Sequence, residues 1–388
     1  MPWKETDPMQ EKEQFITEMM KGEKPFKHLC AEYGIAEKTG YKWKNRFLAE
    51  GKLGLNESSR RPKTSPQCLP EDVIIAIIRI KNAHPTWGPK KILSVFERSR
   101  KAEETPSLSS VKRILDKADM VKHRKIRKAA PESSRLRNRI LPEENNDVWA
   151  IDFKGWWRSD GEICEPLTIR DLHSRFILEI RLMEEKTSEA VRKVLTEVFR
   201  KYGLPKVIRS DNGTPFASTS GVLSLTNLSA WWITLGIIPD RTDKGKPGQN
   251  GSLERMHADI ANEIQHKIPG GRRANQAAID VWREEYNSVR PNEAIGMKVP
   301  AQVYSPSSRK YSGDFDDLDY PPGFLPRKVL CTGVVCIHGL RVHVGYSLRG
   351  LTVGLKLIQS GKFHVFLADF LLGFIDTDLC CFYPIEDL

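Results

Sequence analysis

Three acidic residues stand in settings that suit metal chemistry. Asp152 follows Val148-Trp149-Ala150-Ile151 and precedes Phe153-Lys154-Gly155. Asp211 follows Ile208-Arg209-Ser210 and precedes Asn212-Gly213-Thr214-Pro215-Phe216. Glu254 lies in Gly251-Ser252-Leu253-Glu254-Arg255-Met256-His257. One carboxylate at a strand end proves little; two such acids followed by a helical glutamate are far more specific. Carboxylates so placed can converge on two divalent ions, the arrangement that in-line attack on a phosphodiester requires. Mg²⁺ takes hard oxygen ligands and keeps several waters, so one or two carboxylates per ion suffice. Two Mg²⁺ are therefore expected at Asp152, Asp211 and Glu254, with Mn²⁺ as a substitute. Lys154 and Arg209 flank the acids and read either as phosphate contacts or as ordinary surface charges. Arg255 and His257 share the helix of Glu254, and His257 reads equally as a DNA contact or a satisfied surface histidine.

The elements that must position these acids begin near residue 146. Residues 147–153 alternate as a strand, 167–170 and 176–182 supply two more, and Thr187 caps a helix that runs to Tyr202 and stops at Gly203-Leu204-Pro205. Residues 206–210 form a short buried strand that ends at Asp211. Asn212 and Gly213 turn the chain after it and expose the carboxylate. A helix over 224–235 and a strand over 237–239 follow. Residues 245–251 read as a loop, with a helix starting near Ser252. Three antiparallel strands followed by alternating helices and strands are the order of an RNase H-like α/β fold.

Charge is unevenly spread. Residues 1–144 hold 31 Lys and Arg against 20 Asp and Glu, and residues 145–388 hold 30 against 30, so the whole net charge of +11 lies in front. A polyanion partner held by that region follows. Residues 10–48 read as helices with a glycine turn at Glu32-Tyr33-Gly34-Ile35, a helix-turn-helix whose recognition helix spans about 37–48. Tyr41, Trp43 and Phe47 form its apolar face, and Lys38, Lys42, Lys44 and Arg46 its DNA-facing one; a plain three-helix bundle is the alternative. The 51–70 segment, with Arg60 and Arg61 among prolines and serines, is an extended linker suited to groove or phosphate contact, or a spacer. A second helical unit spans 71–121: helix 71–83, a restart at Pro89, and a helix behind the Ser107 cap that carries Lys112 and Arg113. The basic connector after it holds Arg124, Lys125 and Arg127, expected on phosphates.

Residues 311–327 are acidic and rich in Pro and Gly, a linker, and residues 328–376 hold short β-type runs between glycines that predict a small β-barrel. Seven cysteines without a C-x-x-C pair point to neither a zinc ribbon nor a disulfide framework. The longest aliphatic run, residues 73–78, is too short to span a bilayer, and the N-terminus does not read as a signal peptide. The expected setting is the cytoplasm, with no membrane partner.

Residues about 146–305 resemble the DDE catalytic core of retroviral integrases and bacterial insertion-sequence transposases. The likeness rests on Trp149-Ala150-Ile151-Asp152-Phe153-Lys154-Gly155, Ser210-Asp211-Asn212-Gly213-Thr214-Pro215-Phe216 and Asn250-Gly251-Ser252-Leu253-Glu254-Arg255-Met256-His257. It also rests on Tyr286-Asn287-Ser288-Val289-Arg290-Pro291-Asn292, where the family's usual histidine is Asn292. The gap between Asp211 and Glu254 is longer than in compact members, which implies an insertion around residues 217–228. No N-terminal zinc module is present, which favours the bacterial branch. The resemblance implies that Asp152, Asp211 and Glu254 are the metal ligands.

The domain plan is 1–50 helix-turn-helix, 51–70 linker, 71–121 second helix-turn-helix, 122–145 basic linker, 146–310 RNase H-like core, 311–327 acidic linker and 328–388 small β-barrel. The expected function is a transposase that binds terminal inverted repeats on double-stranded DNA, cleaves at element ends and joins 3′-hydroxyls to target DNA. Concerted action on paired ends calls for a homo-oligomer, at least a dimer. The competing readings are a domesticated DNA-binding regulator with a vestigial core, which would be expected to have lost an acid, and a nuclease of the same fold, which would not need two sequence-reading modules.

Overall fold

The computed structural model describes residues 7–57, 69–100, 105–121, 140–218, 221–242, 251–313 and 318–385. The chain divides into two compact units, residues 1–69 and 70–388.

The first unit packs α1 (Pro8–Lys21), α2 (Phe26–Glu32) and α3 (Glu37–Glu50) around Phe15, Ile16, Leu29, Cys30, Trp43 and Leu55. Asp7 caps α1 by accepting from the Met9 N–H, and Gly34 makes the turn before α3 with a φ of +65°. Helix α3 faces inward with Gly40, Trp43 and Phe47. Tyr41, expected on that face, is instead exposed and packs on Phe26. Gly40 is required there: a Cβ would come within 2.7 Å of the Cys30 Sγ.

The second unit opens with α4 (Glu71–Ala83), α5 (Pro89–Ser99) and α6 (Leu108–Lys117), packed on Ile77, Trp87, Ile92, Phe96, Val111 and Leu115. Pro89 starts α5, and the Ser107 hydroxyl caps α6 by accepting from the Ser110 N–H. These helices dock on an α/β domain. That domain runs β1 (Val148–Phe153), β2 (Trp157–Ser159), β3 (Glu162–Asp171), β4 (Ile177–Met183), α7 (Ser188–Tyr202), β5 (Val207–Ser210), α8 (Asn227–Thr234), β6 (Ile238–Arg241), α9 (Gly251–Glu263), α10 (Gly271–Ser288) and the short α11 (Pro300–Val303). The strand order is β4-β3-β1-β5-β6, with β2 paired to the far end of β3. β1, β3 and β4 are antiparallel neighbours, whereas β5 and β6 run parallel to β1.

Alternation along β1 feeds two cores. Trp149 and Ile151 join the layer of α7 and α8, while Val148 and Ala150 join that of α9 and α10. The β2 hairpin and the first half of β3 lengthen the strand expected at 167–170. The connector expected at 311–327 is tied down where it is described: Tyr311 packs on Phe199, and the Tyr320 hydroxyl donates to the carbonyls of Thr352 and Phe366.

The C-terminal strands are β7 (Phe324–Lys328), β8 (Val334–Ile337), β9 (Leu340–His343), β10 (Thr352–Gln359), β11 (Lys362–Leu367), β12 (Phe370–Asp376) and β13 (Cys381–Pro384). They do not close into the expected barrel. Among the described residues they form an open sheet, β13-β12-β11-β10-β7, and a separate β8–β9 hairpin. Each edge strand carries a proline, Pro326 or Pro384, which removes a ladder donor from the edge that closure would have to pair. The hairpin turns through His338 and Gly339, both at positive φ, and lays Val335, Ile337 and Val342 on one sheet face.

Helix α8 joins this sheet to the α/β domain. Leu228, Trp231 and Trp232 belong to the core of that domain, while Ala230 and Ile233, with Leu225 just before the helix, belong to the C-terminal one. Every residue of the helix from Leu228 to Thr234 is buried. The segment read as an insertion, residues 217–228, thus carries part of the joint.

Candidate active site

Strands β1 and β5 pair in parallel with Ala150 opposite Arg209, so continuing the register two residues sets Asp152 beside Asp211. Neighbouring strands lie about 4.8 Å apart, so the two carboxylates leave the same end of the sheet side by side. Burial pushes the Asp152 carboxyl up to about 7, and the charges of Asp211 and Glu254 push in the same direction. Asp211 Oδ1 is buried and has no hydrogen-bond partner among the described residues. Gly213 curls under it: a Cβ there would sit 2.9 Å from Asp211 Oδ2. The Asn212 amide donates to the Thr242 carbonyl and holds the turn.

Glu254 stands in the first turn of α9, exposed, and reaches Asp152 through its field. Among the described residues no three His, Cys, Asp or Glu side chains are gathered closely enough to hold a metal ion. The two aspartates are therefore brought together, and Glu254 faces them from the helix without closing a ligand cluster. The donor set nevertheless suits a divalent cation: hard oxygens that repel one another, one of them buried without a partner.

His257, one turn after Glu254, points inward. Its Nε2 lies 2.9 Å from the Thr168 hydroxyl, which itself donates to the Asp152 carbonyl at 3.0 Å. With the hydroxyl hydrogen so used, Nε2 is the donor and Nδ1 carries the lone pair. Nδ1 lies 4.0 Å from Asp152 Oδ2. This contact is not an ion pair, because burial, then Lys154 and Arg170, lower the imidazole to about 4 and keep it neutral.

The N-terminus of α9 is pinned by residues to which the sequence pattern assigns no role. Arg170 is buried and donates to the Ser252 carbonyl at 3.0 Å and to the Tyr286 hydroxyl at 3.1 Å. Arg175 donates to the Ser252 hydroxyl at 2.8 Å. Both arginines thereby hold the residue two before Glu254. Their only sequence signal is a polar turn, residues 171–175, between two strands.

The other end of α9 meets the second helical unit. Arg290, buried, pairs with Asp259 at 2.8 Å and Glu263 at 3.0 Å. Glu263 also accepts from the Thr86 hydroxyl and the Trp282 indole. His84 stacks on Trp87 and meets Glu285 at 3.0 Å. Arg98 donates to the carbonyls of Val289 and Met297, and Lys90 pairs with Glu293. Burial, then Arg290, lowers Lys91 to about 8. The motif at 286–292 is thus structural. Asn287 bonds both backbone groups of Ile177, and Asn292 caps the turn at Ala294.

The expected DNA contacts separate into groups. Lys38, Lys42, Lys112, Arg113 and Arg255 are exposed. Lys42 and Arg46 lie over the Trp43 ring and Lys44 near Phe26 and Tyr41, so part of the α3 charge is engaged in packing. Lys154 is half-buried, donates to Gln265 at 2.6 Å and lies over the Trp157 ring. Arg209 is a correction: it is buried, pairs with Asp240 at 2.6 Å and donates to the Ile140 carbonyl, because its register partner on β6 is an acid on the same sheet face. Arg60, Arg61, Arg124, Lys125 and Arg127 lie outside the described residues.

Comparison with known proteins agrees with this architecture. An integrase core domain model matches residues 142–247, and a second integrase core domain model matches 235–300. A helix-turn-helix domain model matches residues 11–63 and a homeodomain-like domain model 39–115. The chain is 24% identical over 255 residues to an uncharacterized 39.2 kDa protein of insertion element IS476 from Xanthomonas euvesicatoria, covering 64% of this chain and 69% of that one. It is 29% identical over 164 residues to an uncharacterized 31.7 kDa protein of insertion element IS407 from Burkholderia multivorans, covering 42% of this chain and 56% of that one. Among solved structures, the HTLV-2 integrase catalytic core domain in complex with magnesium aligns with a TM-score of 0.33 at 16% identity, over 42% of this chain and 99% of that one. No helix among the described residues is long and apolar enough to cross a membrane.

Proposed function

We propose that this chain, a bacterial insertion-sequence transposase of the DDE type by its integrase core, helix-turn-helix domains and insertion-element relatives, binds the terminal repeats of its element and joins the cut ends to target DNA. The observation that carries the reading is the parallel register that sets Asp152 beside Asp211 at one end of the sheet, with Glu254 facing them from α9. Asp152, Asp211 and Glu254 would hold two divalent ions, Mg²⁺ in the cell and Mn²⁺ in its place in vitro. Bound metal supplies activation of the attacking oxygen and neutralisation of charge on the phosphoryl group.

The chain's own residues do the rest. Asp152, its carboxyl raised to about 7 by burial and its acidic neighbours, is partly protonated near neutrality and would give up that proton on ligation. Thr168 and the neutral His257 fix the backbone and side chain of that strand end. Arg170 and Arg175 hold Ser252, and hence the first turn of α9, in place. Lys154, whose charge acts on His257, would serve as a phosphate contact. In the joining step a 3′-hydroxyl oxygen forms a new bond to a target phosphorus as the bond to the departing 3′-oxygen breaks. Assembly on two ends takes at least a dimer, and the protein acts in the cytoplasm on nucleoid DNA.

The test is a joining reaction with the purified chain, a duplex bearing the repeats that flank its own gene, and a plasmid target. Joined products with Mg²⁺ and none with a chelator are expected. Specific binding of the repeats without cleavage in any divalent metal would favour the regulator instead.

A further inference from the structure

The outer face of the C-terminal sheet carries one row of side chains across all five strands. Phe324 on β7 pairs with Lys356 on β10, Lys356 with His364 on β11, His364 with Phe374 on β12, and Phe374 with Tyr383 on β13. Their chain neighbours Leu325, Leu355, Val365, Ile375 and Phe382 all pack into the core beneath, so the row points away from it. Contacts within the row agree. The Lys356 ammonium lies 5.6 Å from the Phe324 ring centroid, and Phe374 and Tyr383 stack 5.0 Å apart with planes inclined by 19°. Lys356 and Tyr383 are exposed, and the other three are half-buried.

Cross-strand aromatic pairs alone would explain a stabilised sheet. They do not explain why an ammonium is set among three rings and an imidazole with no carboxylate among these five residues; on the same face Tyr320 stacks beside Phe324, and one rung along Asp376 is paired with Lys362. At about 4.8 Å per strand the row spans about 19 Å, room for roughly three unstacked nucleotides. A polymer that presents flat bases and negative phosphates together matches both parts of the row. We propose that this face is a stacking platform for unpaired DNA bases, engaged where single strand is exposed beside the cut or joined ends. The inference rests on the transposase reading for its DNA. The shared core at α8 would tie whatever the platform holds to the catalytic domain.

The experiment measures binding of the full chain, by fluorescence anisotropy, to three probes. These are a blunt repeat duplex, the same duplex with a short single-stranded extension, and that extension carrying ribose in place of deoxyribose. The wild type should bind the extended DNA at least tenfold more tightly than the blunt one. The double variant Phe374→Leu with Tyr383→Leu keeps an apolar cover but no π face. It should lose that gain while retaining its affinity for the blunt duplex and its melting temperature. Lys356→Ala should lose part of the gain and weaken its salt dependence. An equal gain in the leucine variant, or none in the wild type, overturns the platform. Preference for the ribose extension assigns the face to RNA and overturns the DNA claim. Loss of a dimer by light scattering in the leucine variant, with the extension gain unchanged, assigns the face to a second copy and overturns it too. Failure to bind even the blunt duplex tells against the transposase reading itself and is distinguishable from all of these.

Discussion

Helices α1–α3 and α4–α6 are built alike: three short helices around a small apolar core, with lysines and arginines exposed on the third. They differ in what surrounds them. The first set closes on itself within the unit that ends at residue 69. The second belongs to the catalytic body, where Thr86, Trp87, Lys90, Lys91 and Arg98 meet α9, α10 and residues 289–297. A helix-turn-helix pattern says that a module can read DNA; it does not say whether the module also braces something. Here the brace ends on α9, the helix that carries Glu254. We infer that α6 is held at a set offset from the active site, whereas α3 serves affinity.

The largest effect should come from cutting the brace. Arg290→Ala leaves Asp259 and Glu263 partly buried without their cation, which costs about 3–5 kcal/mol. Chemical denaturation of the full chain should show this loss in the 70–388 unit, with the transition of a separate 1–69 fragment as the reference. A loss below about 1 kcal/mol would mean that the docking does not depend on this pair.

The next effect is titration within the same body. Asp152 has its carboxyl raised from 3.8 to about 7, so the folded protein holds this proton more tightly than the unfolded chain. Its contribution to stability is complete below about pH 4 and is lost as pH rises through about 7. In chelator, Asp152→Asn should therefore stabilise the protein above pH 7 by a few kcal/mol and flatten that part of the pH profile. An unchanged profile would remove the buried, repelled carboxyl from the account. Added Mg²⁺ should narrow the difference by stabilising only the wild type.

The smallest effects separate the two helical sets directly. Lys38→Ala with Lys42→Ala should lower affinity for the terminal repeat and reduce the salt slope by about one for each phosphate no longer neutralised. Lys112→Ala with Arg113→Ala should reduce affinity similarly but also blur the cleavage position, mapped at nucleotide resolution. Unblurred cleavage in the second pair would show that α6 does not set the register.

Much of this was legible from local pattern. The caps at Ser107 and Thr187, the restart at Pro89 and the strand before Asp152 all follow from residue chemistry within one turn or one strand. The setting of Asp152 beside Asp211 was legible because each ends a short apolar strand in an order that one fold satisfies. The early half of β3 was hidden by Pro166, which lacks a donor yet sits mid-strand and accepts from the Lys154 N–H. The partners of Arg290, Arg170 and Arg209 were not legible because they are distant in sequence, and side-chain pairing of this kind has no local period. Closure of the C-terminal strands was illegible for a related reason: spacing predicts strands, but whether two edges meet depends on the whole sheet.

The central claim is that Asp152, Asp211 and Glu254 carry the chemistry while binding lies elsewhere. The direct measurement is strand transfer into plasmid DNA by Asp152→Asn, Asp211→Asn and Glu254→Gln, each alongside repeat binding by gel shift. The account predicts that joining falls by at least about a thousandfold in each, equivalent to roughly 4 kcal/mol of barrier, with binding near wild type. Near-normal joining by any one variant would contradict it and remove that residue from the site.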